Sequence, residues 1–189
     1  MAPVAATIVW RIEDGDLLRT KVFRSPDLNV EVAVGDNGTA YFPGVGRIMV
    51  RGLTLDSLEA LLNQRYASAV LREPAVQVTM QRDVTLYGQV KIPGVYAVDP
   101  GTTLLGLVAR AGGSSSAAGA PDVSLEKADG LRYRLPGEAR LGSIDLHHDD
   151  ALYMAESSII VRNTATLYAA SYVVTIISTM VSLGLILSR

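Results

Sequence analysis

The chain has 189 residues, a formal net charge of −2 and no cysteine, with a pI near 5.7. These values exclude disulfides, thiolate metal sites and a cysteine nucleophile, and they offer no basic face for nucleic acid. Two Phe and one Trp against 17 Gly and eight Pro point to many short strands and turns rather than a helical bundle.

The opening run, MAPVAATIVW, carries no positive n-region and only a short apolar stretch, so it is not expected to act as a secretory signal. After the turn-like Glu13-Asp14-Gly15-Asp16, residues Leu17–Phe23 read as a strand, which Pro26-Asp27 breaks. Val30–Val34 alternates at period two. Gly35-Asp36-Asn37-Gly38 predicts a hairpin, because Asn and Gly accept positive φ cheaply. Thr39–Phe42 returns, Pro43–Gly46 turns again, and Arg47–Val50 is a further short strand.

Thr54 stands where a helix N-cap belongs, with Asp56 and Glu59 near the positive end of the dipole. Leu58, Leu61, Leu62, Tyr66 and Ala69 form one apolar stripe down to about Leu71. Glu73-Pro74 stops that helix, and Ala75–Met80 alternates as a strand. Strands, one helix and a closing strand make an α+β domain. A second unit starts near Val84 with the strand TLYGQV, a turn at Lys91–Gly94 and a returning strand at Val95–Val98. Thr102-Thr103 leads into a short helix, LLGLVARA, ended by Gly112-Gly113. Val123–Lys127 and Leu131–Leu135 form a hairpin about Asp129-Gly130, and Ala151–Met154 and Ile159–Val161 are the last predicted strands.

From Thr164 to Ser188 no residue is charged, and Arg162 and Arg189 bracket the run. As a helix it would reach roughly 37 Å, against a hydrocarbon core of about 30 Å. One C-terminal transmembrane helix is therefore expected. Ser171, Thr175, Ser178 and Ser182 fall at spacings of four, three and four, which is one helix face. That stripe fits a water-filled lumen in a ring of helices, a small-residue packing seam, or hydroxyls bonded back to the carbonyls of a plain anchor.

The order of motifs resembles a known family. Gly15-Asp16, Pro26-Asp27-Leu28, Asp36 to Thr39, Phe42 to Gly46, Gly52 to Thr54 and Pro74 to Val78 follow the run found in the export domain of bacterial outer-membrane polysaccharide exporters. Gly88 to Tyr96 and Ala111-Gly112-Gly113 are similar to that family's soluble ligand-binding β-grasp (SLBB) module. The resemblance implies an α+β fold organised as an export-type domain over residues 1–82, one β-grasp domain over 83–161 and a transmembrane helix over 162–189. It further implies a periplasmic, homo-oligomeric ring in which C-terminal helices form or support a pore in the outer membrane, with polysaccharide, membrane lipid and other complex subunits as partners. Two departures are visible: the lipid-bearing cysteine common in the family is missing, and a single β-grasp module stands where larger members have two or more.

No catalytic constellation is visible, and neither an enzyme nor a cofactor is expected. His147-His148 followed by Asp149-Asp150 holds metal-ligand residue types. Consecutive side chains on an extended segment point to opposite faces, so a solvated loop is predicted and no metal. Gly112-Gly113 with Ser114–Ser116 lacks the Lys of a phosphate loop. Glu13, Asp14 and Asp16 read as a solvated acidic turn. The alternative to an export channel is a tethered accessory or scaffold subunit of a larger membrane complex, because fold alone does not fix function.

Overall fold

The computed structural model describes residues 9–69, 71–115 and 122–155. In chain order the elements are β1 (Leu17–Val22), β2 (Val30–Ala33), β3 (Thr39–Phe42), β4 (Gly46–Met49), α1 (Leu55–Ala69), β5 (Val76–Gly88), β6 (Gly94–Val98), α2 (Leu104–Arg110), β7 (Asp122–Glu126), β8 (Arg132–Leu135) and β9 (Ala151–Ala155). The described residues are α+β.

β5 organises everything else. Its residues alternate from Val76 to Tyr87, so Val76, Val78, Met80, Arg82, Val84 and Leu86 all turn to the buried face. The first half pairs antiparallel with β1 in the register Leu18↔Met80, and β1 carries β2 on its other edge. The second half pairs antiparallel with β6 from Arg82↔Val98 to Leu86↔Gly94, and parallel with β9 from Thr85↔Ala151 to Gly88↔Met154. β9 pairs with β7 and β7 with β8. The order β2-β1-β5-β9-β7-β8, with β6 also on β5, is therefore one seven-stranded sheet.

Two helices cover that sheet. The Thr54 hydroxyl accepts from Ser57 N at 3.2 Å and caps α1. α1 buries Leu58, Leu62 and Tyr66 and packs on β5. The N–H groups of Val76 and Val78 donate to Asn63 Oδ1 (3.0 Å) and Glu59 Oε1 (2.7 Å), so side chains of α1 take the place of a further strand there. Thr103 caps α2 by accepting from Gly106 N, and α2 sinks Leu104, Leu107 and Val108 into the same core.

Three expectations are corrected. The segments 75–80 and 85–90 were expected as separate strands, but Val76–Gly88 is one strand, because Arg82 is buried in phase with its apolar neighbours. The turn at 35–38 does not join a hairpin. The Asn37 side chain accepts from Thr39 N and Oγ1, the chain swings out of the main sheet, and β3 pairs with β4 in a separate two-stranded sheet.

The third correction concerns the transmembrane helix. Among the described residues no helix is long and apolar enough to cross a membrane. α1 has 15 residues, about 22 Å at 1.5 Å each, and it carries Asp56, Glu59 and Arg65. The run from 164 to 188, the residues Ser171, Thr175, Ser178 and Ser182 within it, and the expected strand at 159–161 lie outside the described residues.

Candidate functional site: the junction between the two halves of the sheet

Arg82 stands at the point where β5 passes from β1 to β6. Its side chain is almost wholly buried, and so is that of Asp16, which follows the 13–16 turn into β1. Arg82 Nε donates to Asp16 Oδ1 and Nη2 to Asp16 Oδ2, each at 2.8 Å. This is the bidentate fork geometry in which guanidinium and carboxylate bind most strongly. Glu13 N donates to Asp16 Oδ2 at 2.8 Å, and His148 Nε2 lies 3.0 Å from Oδ1, so both carboxylate oxygens are fully engaged. Arg82 further donates through Nη2 to Arg11 O at 2.8 Å and through Nη1 to Leu146 O. Its guanidinium lies 4.9 Å from the centre of the Trp10 ring.

The same point gathers the loop leading to β9. Trp10 Nε1 donates to Ile144 O at 2.9 Å. His147 Nδ1 is 2.5 Å from Glu13 Oε1. Asp150, itself buried, accepts from His147 N at 2.8 Å and from Lys127 Nζ at 2.9 Å. Burial draws the Lys127 ammonium down, but its hydrogen bond to Asp150 and the charges of Asp150 and Asp145 outweigh that and hold its pKa above the ordinary value. The loop is thus stapled at three successive residues, Leu146 to Arg82 on β5 and His147 and His148 to Glu13 and Asp16 of the first turn.

Two clefts flank the staple. One of about 330 Å³ lies among Trp10, Leu55, Met80, Pro100 and Arg140. The other, about 480 Å³, is lined by Arg11, Glu13, Arg82, Asp145 and His147. Arg82 and Asp16 are spent on each other, so the chemistry of the junction is cohesion: a charge pair with every lone pair occupied ties distant parts of the chain together.

On the open face of the second half, Tyr87 and Tyr153 sit side by side with ring centres 5.2 Å apart. Arg132 lies 4.6 Å over the Tyr153 ring and bridges to Glu126 at 2.9 Å. The Tyr87 hydroxyl donates to Glu126. That bond depresses the Glu126 pKa, with Arg132 adding to it, and raises that of Tyr87.

The loop of His147 and His148 was expected to be solvated, and this is corrected. His147 is half-exposed, but His148 is three-quarters buried against Asp16. Asp16, expected on a solvated turn, has no exposed side-chain surface. Among the described residues no three His, Cys, Asp or Glu side chains converge as a metal site. Sequence reasoning missed Arg82. Its signal was its phase, since it occupies an even position in an apolar series from Val76 to Leu86.

Comparison with known families adds identity to this geometry. Residues 5–81 match the family model described as polysaccharide biosynthesis/export protein, and residues 84–136 match the SLBB domain. Between them the two matches take in well over half of the chain, and Arg82 falls in the gap between them. An export-type module thus runs straight into an SLBB module through one strand, the pairing of a polysaccharide export component.

Proposed function

We propose that the chain is a non-catalytic structural subunit of a polysaccharide export assembly, acting as a homo-oligomer in the periplasm in association with the outer membrane. The observation that carries this reading is β5, which serves as a strand of both modules and is pinned at its midpoint by the Arg82–Asp16 pair. Such a body transmits position between neighbours and does no bond-making chemistry.

Oligomerisation is supported by the sheet's edges. Among the described residues β6 pairs only with β5, and β8 only with β7. The exposed Val95 stands on one edge strand and the exposed Tyr133 on the other. Two different open edges on one subunit suit a head-to-tail contact, which closes into a ring when the rotation permits.

The test has two readings. Deleting the gene is expected to stop secretion of polysaccharide while the sugar is still synthesised. Native mass measurement of the purified assembly is expected to give several copies of this chain. One copy beside unrelated subunits would instead favour the accessory-subunit alternative.

A further inference from the structure

The export module carries a groove that the junction does not use. It lies where the 35–38 turn meets the small β3–β4 sheet, has a volume of about 490 Å³, and is lined by Asp36, Asn37, Thr39, Tyr41 and Arg47 together with Val32 and Ala33. That volume is in the range of small-ligand sites, roughly 300–1,000 Å³.

The frame of the groove is fixed. Gly38 has φ +75°, and a Cβ there would stand 2.8 Å from Arg51 Cβ. Arg51 Nε donates to Asp14 Oδ1 at 2.6 Å, and its Nη2 donates to Asp36 O at 2.5 Å. Gly35 N donates to Thr39 O at 3.0 Å, and Val50 N to Gly38 O at 2.8 Å. Asn37 Oδ1 accepts from Thr39 N and Oγ1.

Against that frame the functional ends of the lining residues are unspent. Among the described residues the Arg47 guanidinium, the Asp36 carboxylate, the Asn37 amide nitrogen and the Tyr41 hydroxyl have no hydrogen-bond or ion-pair partner. Tyr41 is 55 % exposed and stands directly opposite Arg47 across β3 and β4, a separation of about 5 Å between Cβ atoms.

This combination specifies a ligand chemistry. An exposed tyrosine ring offers a flat apolar surface with a polar rim. A guanidinium and an amide nitrogen donate in pairs, and a carboxylate accepts in pairs. Arg47 and Asp36 bring one charge of each sign to the lining, so the groove offers no net positive charge to select a strongly anionic ligand such as a nucleotide. A ring with one apolar face and a belt of hydroxyls satisfies every member. We propose that this groove is a saccharide subsite in which Tyr41 stacks on the face of a neutral pyranose while Arg47, Asp36 and Asn37 exchange hydrogen bonds with its hydroxyls. The proposal rests on the export reading for its biological meaning but not for its chemistry.

Saturation-transfer NMR on the full chain tests it, with cellohexaose, maltohexaose and mannohexaose as neutral probes and hexagalacturonate as the anionic one. Saturation is expected on the axial ring protons of at least one neutral probe. Tyr41→Ala should reduce it about five-fold or more and Arg47→Met by a similar factor, as expected for an anchor residue. Phe23→Ala, which removes an exposed aromatic ring that does not line the groove, should leave it unchanged. Silence from all three neutral probes, a stronger signal from hexagalacturonate, or an unaltered signal in both groove variants overturns the proposal. Normal secretion in a deletion strain would instead overturn the export reading while leaving the NMR result standing.

Discussion

Arg82 and Asp16 face each other through two N–H···O bonds of 2.8 Å, although 66 residues separate them and neither touches solvent appreciably. A buried pair of this kind adds little by existing, since desolvating two charges costs nearly what their attraction returns. Breaking it is another matter. Asp16→Asn or Arg82→Met strands its partner in the interior and is expected to cost about 3–5 kcal/mol, a large share of a domain's roughly 5–15 kcal/mol. The double variant should lose little more than either single one, giving a coupling nearly as large as one single loss by urea unfolding. Additive losses would mean that the two residues act independently.

Trp10 is the chain's one tryptophan, and it reports on the same junction, since its ring lies under Arg82 and its Nε1 is bonded to Ile144 O. β5 belongs to both halves of the sheet, so the halves are expected to unfold together. Trp fluorescence and far-UV circular dichroism should give coincident urea midpoints. In Arg82→Met the emission should shift to the red before unfolding begins. Separate midpoints in the unaltered protein would show that the shared strand does not couple the halves.

The second half has a pH signature that follows from its surface pairs. The Tyr87 hydrogen bond first, and Arg132 with it, hold Glu126 below its ordinary 4.5. The contribution of Glu126 to stability is therefore present above 4.5 and is lost as pH falls through its lower folded value. Tyr87 is raised above 10.0 by the same bond, and Lys127 is raised above 10.5. Their contributions are present below those values and are lost as pH climbs through the folded ones. Tyr87→Phe should move the Glu126 carboxyl titration upward when followed by carbon-detected NMR. A Glu126 titration that stays in place would mean that Arg132 alone sets it.

Much of the fold was legible in the sequence because local signals and tertiary structure agree there. Thr54 caps its helix as expected, and the strand expected at Leu17–Phe23 and the hairpin expected over 123–135 are present as β1, β7 and β8. What could not be read were long-range exchanges. An arginine at position 82 looks like the end of an apolar strand until the carboxylate 66 residues earlier is known to meet it. An Asp in a Gly-containing turn looks solvated until a loop from the far end of the described chain closes over it through His147 and His148. The 35–38 turn misled for the opposite reason. Its residues favour a turn as expected, yet the Asn37 side chain bonds locally, and nothing in the turn itself specifies which strand the next one will join.

Gly88 separates two reasons for a glycine. At Gly88, φ is +96°, and a Cβ would lie 2.3 Å from Met154 O and 2.9 Å from Tyr153 Cε2. At Gly46, φ is +92°, yet nothing lies within 4 Å of the same added atom. Both positions carry the conformational cost of an L-residue at positive φ, about 1–2 kcal/mol. Only Gly88 adds a collision with backbone, and that backbone is the parallel partner strand β9 in the register Gly88↔Met154. A carbonyl held in a sheet cannot swing aside as a flexible side chain does. Gly88→Ala must therefore push β9 from β5, break the Gln89 N to Met154 O bond of 2.8 Å, and disturb the Tyr87–Tyr153 pair beside it. It is expected to cost about 3 kcal/mol or more, in the range of severe overpacking, whereas Gly46→Ala should stay within the backbone cost alone. Hydrogen exchange would locate the damage, with protection lost at Leu152–Met154 and retained in β1. Equal losses of stability in the two variants would mean that backbone conformation, and not the closeness of β9, explains the glycine at position 88.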